Sequence, residues 1–374
     1  MKPGEPERPK RARLAQDAPW RDSTPIRHDR LPIDARAVWL RAMIRNLEAF
    51  ACYRPCTTLL VCSVALAATA PFASAIVLPA PAAVDSATPF SPAFVAANTV
   101  DGTEAEFATA GLGADTFIEY SFGAPQSFDK IVVLNRDSPD PSDYIADFSL
   151  ILDGATTVSV TRAPLRGSSE IHSLGALRTA TDVRLEVDTI GAGAALNTGA
   201  MEVFFVRTPA GQTPISASIF GSAPAFNPFF AADNAVDGIV GRSSGGGADG
   251  PEYASASLGA DAFVDFDLGM VVPVGGFDYF DRPADEDRVL AYDMIFSINS
   301  TFGDADDVVR SYTNSTIGSS DVFAGINAQF VRFDVTANAG ANTGVSEMSF
   351  YQVPEPSSLA LGGLGITLLV RRRR

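Results

Sequence analysis

Residues 252–269 read Glu-Tyr-Ala-Ser-Ala-Ser-Leu-Gly-Ala-Asp-Ala-Phe-Val-Asp-Phe-Asp-Leu-Gly. Within them Val264, Phe266 and Leu268 alternate strictly with Asp265 and Asp267. A period of two with one wet face predicts a half-buried antiparallel strand. Residues 106–123 repeat the pattern: Glu-Phe-Ala-Thr-Ala-Gly-Leu-Gly-Ala-Asp-Thr-Phe-Ile-Glu-Tyr-Ser-Phe-Gly. Here Ile118, Tyr120 and Phe122 form the apolar face.

The duplication extends to both sides of these strands. Ala96-Ala97-Asn98-Thr99-Val100-Asp101-Gly102 returns 136 residues later as Ala232-Asp233-Asn234-Ala235-Val236-Asp237-Gly238. Asn197-Thr198-Gly199 with Glu202 returns as Asn342-Thr343-Gly344 with Glu347. Matched blocks in one order, too far apart for a solenoid repeat, predict duplicated domains. The main insertion, Ile239 to Asp249, has a Ser-Ser-Gly-Gly-Gly core and is expected to be a flexible surface loop.

Other segments also read as strands. Val183, Leu185 and Val187 alternate with Arg184, Glu186 and Asp188, and Val331, Phe333 and Val335 alternate with Arg332, Asp334 and Thr336. No amphipathic helix is evident after Ala75. Short strands joined by Gly, Asp, Asn and Pro turns predict an all-β chain of two tandem sandwiches, over 85–208 and 213–353, with a short linker near Pro209–Pro214.

The ends are of another kind. Residues 57–75 form an apolar run closing on Ala73-Ser74-Ala75, with Arg45 and Arg54 upstream. This predicts a helical signal segment over 43–75, cut after Ala75. Residues 1–42 are rich in Arg, Pro and Asp and are expected to be disordered, or untranslated if Met43 is the start. A nucleic-acid-binding arm is disfavoured, because Asp17, Asp22, Asp29 and Asp34 interrupt the positive charge. The tail carries Pro354-Glu355-Pro356, an apolar stretch from Ser358 to Val370, and Arg371-Arg372-Arg373-Arg374. That stretch is well under the roughly 20 residues of a spanning helix. The arginines would stay on the cytoplasmic side. Residues 354–374 resemble the PEP-CTERM signal of Gram-negative bacteria. The resemblance implies a helical sorting tail, transient contact with the inner membrane, and removal by an exosortase at the cell surface.

Between the two signals the composition changes. Cys52, Cys56 and Cys62 all lie in the leader, so residues 76–353 hold no cysteine for a disulfide, a thiolate nucleophile or a metal. The same stretch holds 36 acidic residues against 12 basic ones. That balance excludes nucleic acid as a partner, since affinity there comes from neutralising phosphates. It suits an exported protein in salt- or calcium-bearing surroundings.

The Asn-x-x-Asp-Gly turn, the Phe/Tyr-Ala-Ser/Thr step after it, the strand ending in Leu-Gly or Phe-Gly, the Val-Arg-Phe/Leu strand and the late Glu resemble the coagulation-factor type C, or discoidin-like, galactose-binding family. The resemblance covers both copies and implies jelly-roll β-sandwiches binding carbohydrate or lipid headgroups through loops at one end. It also implies a structural calcium held by Asp101 with Glu202 and by Asp237 with Glu347, with the carbonyls of Asn98 and Asn234 contributing. Calcium takes roughly 6–8 oxygens from such groups. The alternative is that Asp-Gly makes a tight turn and the Glu is a solvated strand residue. The family's usual tryptophan is replaced by Phe107 and Tyr253, and the Cys pair of its animal members is missing.

Arg136 and Arg282 stand at equivalent places, the latter beside Tyr279, Phe280 and Asp281. Guanidinium forks and aromatic faces suit a sugar or acidic-glycan site. A structural arginine paired with a loop carboxylate is the other reading. His172 reads as a surface histidine, and Asp304–Asp307 as a hairpin loop. No nucleophile elbow, His-Glu-x-x-His or phosphate loop is present, so no enzyme is expected. The sequence therefore predicts a non-catalytic surface or matrix protein binding extracellular polysaccharide or a cell-surface glycan. A purely structural matrix protein and an accessory module of a carbohydrate-active system are the alternatives.

Overall fold

The computed structural model describes residues 76–163, 165–242 and 251–354. The expected leader, signal segment with Ala73 and Ala75, sorting residues from Glu355 to Arg374, and glycine-rich core of the insertion lie outside the described residues.

The described chain is mostly β, with only short 3-10 turns as helix. The N-terminal half contains β1 (Ile76–Val77), β2 (Ala82–Ser86), β3 (Phe117–Asn135), β4 (Ile145–Leu152), β5 (Thr156–Thr161), β6 (Ser168–Glu170), β7 (His172–Ile190) and β8 (Ala200–Arg207). The C-terminal half contains β9 (Thr213–Ile215), β10 (Ser218–Ser222), β11 (Ile239–Gly241), β12 (Tyr253–Ala254), β13 (Phe263–Phe280), β14 (Val289–Ser297), β15 (Val308–Thr313), β16 (Gly318–Asn338), β17 (Gly344–Val345) and β18 (Glu347–Gln352). The first half pairs in the order β1-β8-β3-β7-β4-β5, with β2 also on β3. The second pairs as β9-β18-β13-β16-β14-β15, with β10 also on β13, so the two topologies coincide.

Bulges turn each set of strands into two layers. The ladder of β3 on β7 shifts between Ser121 and Gln126; before the shift β3 lies beside β2, and after it beside β8. A bulge bends and twists a strand. One layer is thus β2, early β3, late β7, β4 and β5, and the other is β1, β8, late β3 and early β7. Ile118, Tyr120, Phe148 and Leu150 from the first meet Phe128, Ile131, Val203 and Phe205 from the second in one core. Val264, Phe266, Tyr279, Tyr292, Phe333 and Phe350 build the corresponding core of the second half. Period two therefore placed the inward faces correctly at Ile118, Tyr120, Val264 and Phe266.

The halves are not joined by the linker alone. Phe205 and Val203 face the first core, whereas Phe204 and Val206 face outward into a second cluster with Val132, Leu134, Phe280 and Ile317. Phe204 meets Phe280 edge-on at 5.6 Å. The runs Ile131–Leu134 and Val203–Val206 are continuously apolar because both their faces are buried. The start of the insertion is not a loop: Ile239, Val240 and Gly241 form β11, which pairs with β6 of the first half. Backbone groups left unpaired by the N-terminal half are satisfied there. In the linker itself, Gln212 is buried and donates through Nε2 to the Gly275 carbonyl at 3.2 Å.

A polar contact crosses the same interface. Lys130 Nζ donates to Tyr351 Oη at 3.0 Å, and Tyr351 in turn donates to Asp278 Oδ2. Burial pushes the Asp278 carboxyl up to about 6, opposed by the Tyr351 hydrogen bond and the Lys130 charge. In the unfolded chain an aspartate titrates near about 4. Between those values the folded state holds a proton that the unfolded state has lost. This contribution is therefore fully present below the window and is lost as pH rises through it. At about 1.4 kcal/mol per pKa unit the loss is on the order of a few kcal/mol. Urea unfolding followed from pH 4 to 7 should show that slope, and Asp278→Asn should make it shallower, the raised Asp237, Glu202 and Glu347 carboxyls supplying the remainder. An unchanged slope in the variant would remove Asp278 as its source.

Candidate carboxylate and aromatic–arginine sites

Each Asn-x-x-Asp-Gly turn brings an aspartate to a buried glutamate from the last strand. Gly102 and Gly238 adopt φ +73° and +83°, the left-handed conformation that suits glycine after the aspartate. The Gly102 N–H donates to Glu202 Oε1 at 2.6 Å, and the Gly238 N–H donates to Glu347 Oε2 at 3.0 Å. Burial, reinforced by the Asp101 charge, pushes the Glu202 carboxyl up to about 9. Glu347 is pushed well above the usual carboxylate range by burial and the Asp237 charge. Asp237 itself is pushed up to about 6 by burial. Asp101 Oδ1 accepts from the N–H and hydroxyl of Thr103 at 2.9 and 2.7 Å, and Asp237 Oδ1 accepts from the Ile239 N–H at 2.8 Å.

The structure thus joins Asp101 to Glu202 and Asp237 to Glu347 across spans of about a hundred residues. A carboxylate pair of this kind, short of water, is stable only with a proton or a cation between the oxygens. Oxygen-only donors suit a hard cation such as calcium. Among the described residues no three His, Cys, Asp or Glu side chains converge, so an ion here would take its other oxygens from carbonyls and water. Asn98 and Asn234 hold the turns in shape. Asn98 Nδ2 donates to the carbonyls of Ala93 and Glu106, both at 2.8 Å, and Asn234 Nδ2 donates to those of Phe229 and Glu252 at 2.9 and 3.0 Å.

A second duplicated constellation surrounds the two arginines. Arg136 Nε pairs with Glu106 at 2.9 Å, and its Nη1 pairs with Asp143 at 3.1 Å and donates to the Asn197 carbonyl at 2.7 Å. Arg282 pairs with Glu252 at 3.1 Å and Asp287 at 3.3 Å and donates to the Asn342 carbonyl. Both arginines are buried, so their main role is to tie three loops together at one end of each sandwich. The Asn-Thr-Gly segment approaches those loops closely. A methyl group on Gly199 would sit 1.9 Å from the Phe107 carbonyl oxygen, and one on Gly344 would sit 1.9 Å from that of Tyr253.

Over each arginine lies an aromatic pair that period-two reading does not find. Phe94 covers Arg136 at 5.6 Å and meets Phe90 edge-on at 5.9 Å. Phe230 covers Arg282 at 5.9 Å and meets Phe226 edge-on at 5.8 Å. Phe90 and Phe226 are 56% and 53% exposed, an unusual state for phenylalanine at matched positions. The signal available was a Phe-x-x-x-Phe that recurs eight residues before the asparagine of each turn.

Two readings of the sequence are corrected. Tyr279 is fully buried between Tyr292 and Phe333, at 4.8 and 5.3 Å, and cannot touch a ligand. Its strand position makes it an inward residue of β13. His172 is no surface residue; it is buried edge-on to Phe148 at 6.4 Å, and burial pulls its pKa down to about 4. Asp304–Asp307 does lie in the turn between β14 and β15, with Asp306 N–H donating to Asp304 Oδ1 at 2.9 Å.

Comparison with known proteins adds the following. The family model of the PEP-CTERM protein-sorting motif matches residues 352–374, which carries the mark of an exported protein of Gram-negative bacteria. No curated protein matches the chain. Similar solved structures include a fucolectin from striped bass (Morone saxatilis) serum, at 14% identity and TM-score 0.30, covering 74% of this chain and 98% of its own. They also include two family 32 carbohydrate-binding modules of Clostridium perfringens ZmpB in complex with GalNAc, at 11% identity and TM-score 0.29, covering 73% and 90%. A chitosan-binding module from a Paenibacillus chitosanase/glucanase, in complex with chitotriose, matches at 20% identity and TM-score 0.30, covering 37% and 97%.

Proposed function

We propose that this is an exported, non-catalytic protein of the cell surface or matrix that binds extracellular polysaccharide through the loop ends of two tandem sandwiches. The observation that carries this reading is the repeated aromatic pair, one ring exposed and one half-buried, over a buried, ion-paired arginine. Exposed aromatic faces stack on the C–H faces of sugar rings, and a rigid three-loop base orders them in advance at low entropic cost. Calcium at Asp101 with Glu202, and at Asp237 with Glu347, would neutralise the buried carboxylates and stiffen the turns beside these loops. The tail directs the chain to an exosortase by way of a transient stay at the inner membrane.

A glycan array of neutral and acidic polysaccharides tests the reading. The wild type should bind at least one class, and Phe90→Ala with Phe226→Ala should remove binding. Both rings are mostly in water, so the double variant should melt within about 0.5 kcal/mol per site of the wild type. Silence across the array would leave a purely structural matrix protein as the better account.

A further inference from the structure

The two aromatic–arginine clusters belong to different halves, yet one side chain reaches the residue that follows each arginine. Arg242 directly follows β11, and its own N–H donates to the Gly167 carbonyl of the first half at 3.1 Å. Its guanidinium pairs with Glu104 and lies 3.6 Å from Asp137 Oδ2, the residue after Arg136. Its Nη1 also lies 3.5 Å from the carbonyl of Pro283, the residue after Arg282. Glu104 closes the link from the other side by accepting the Asp285 N–H. The loop ends of the two halves therefore meet edge to edge. The joint is held by the three-residue pairing of β11 with β6 and by the apolar cluster around Phe204 and Phe280.

We propose that the two loop ends form one continuous face that holds a single neutral polysaccharide strand at two points, with Arg242 and Glu104 as the strut between them. This rests on the glycan-binding reading above. Sites on a flexible tether gain from an effective concentration set by linker length. Here the strut takes the place of the tether, so the gain appears abruptly once a strand is long enough to reach both phenylalanine pairs. Charge selects the strand. Around the joint lie seven carboxylates (Glu104, Glu106, Asp137, Asp143, Glu252, Asp285 and Asp287) against five guanidiniums, those of Arg136, Arg166, Arg242, Arg282 and Arg288. Each guanidinium is already ion-paired, and the surplus negative charge repels a uronate polymer.

The test is calorimetric titration of the full chain with size-graded oligosaccharides of galactan, mannan and β-glucan, with alginate fragments as the acidic arm. The expected result is one strand per protein and a step in affinity with length, on the order of a hundredfold. Phe90→Ala alone and Phe226→Ala alone should each return long strands to short-strand affinity. Arg242→Ala should lower the step, with Glu104→Gln as a second, milder variant, and an undiminished step in both would remove the strut. Two strands per protein with no step would overturn the shared face and leave glycan binding standing. Binding confined to alginate would overturn the neutral assignment. No binding in any arm would overturn both this inference and the reading beneath it.

Discussion

Phe205→Ala should destabilise the protein by about 3–5 kcal/mol, the usual cost of emptying an aromatic site in a core. Phe205 sits among Tyr120, Phe122 and Phe128 at 5.6, 5.2 and 5.0 Å. At about 2–4 °C per kcal/mol for a body of this size, calorimetry should register a fall on the order of 10 °C. Its neighbour Phe204 points the other way, against Phe280. Phe204→Ala should cost less and act differently, loosening the contact between halves while each core stays packed. Limited proteolysis should then cut near Pro209–Pro214 below the melting temperature in Phe204→Ala but not in wild type. If both variants melt alike and are cut alike, the two-faced burial of β8 is wrong.

Calcium should stabilise the wild type, and the pair Glu202→Gln with Glu347→Gln should abolish that effect. An ion that binds only the folded form stabilises by roughly 2.7 kcal/mol at a hundred times its dissociation constant. The glutamine variants are a sharp probe because burial already holds the Glu202 carboxyl up to about 9. Without a cation that group is a neutral acid at pH 7, and glutamine mimics it while still accepting the Gly102 N–H. Chelated wild type and the double variant should therefore melt together, and added calcium should separate them. Sodium chloride at equal ionic strength controls for screening. If calcium raises the melting temperature no more than that control does, both sites are turns closed by protonated glutamates.

Much of the candidate site was legible because it recurs. The family resemblance paired Asp101 with Glu202 and Asp237 with Glu347, and the same two residue types recur in the same order in both copies. The two arginines were found by their equivalent places, and the reading of each as a loop brace describes their ion pairs. Tyr279 was misplaced because neighbouring residues on a strand face opposite ways. Asp278 and Phe280 turn toward the other half, and Tyr279 turns into its own core. The phenylalanine pairs escaped notice because phenylalanine ordinarily signals a core, and a linear pattern does not distinguish a ring on a loop tip from one under a sheet.

The sequence by itself determined the strand character, the inward residues of the alternating strands, the turn positions and the export tail. All of these rest on local period, turn chemistry or a short motif. Only the tertiary structure decided which apolar runs are buried twice, that Ile239–Gly241 pairs with the other half, and that Arg242 joins the two loop ends. Those outcomes depend on contacts between segments that share no local pattern. A strand's period reports which side is dry, but not what has been packed against the other.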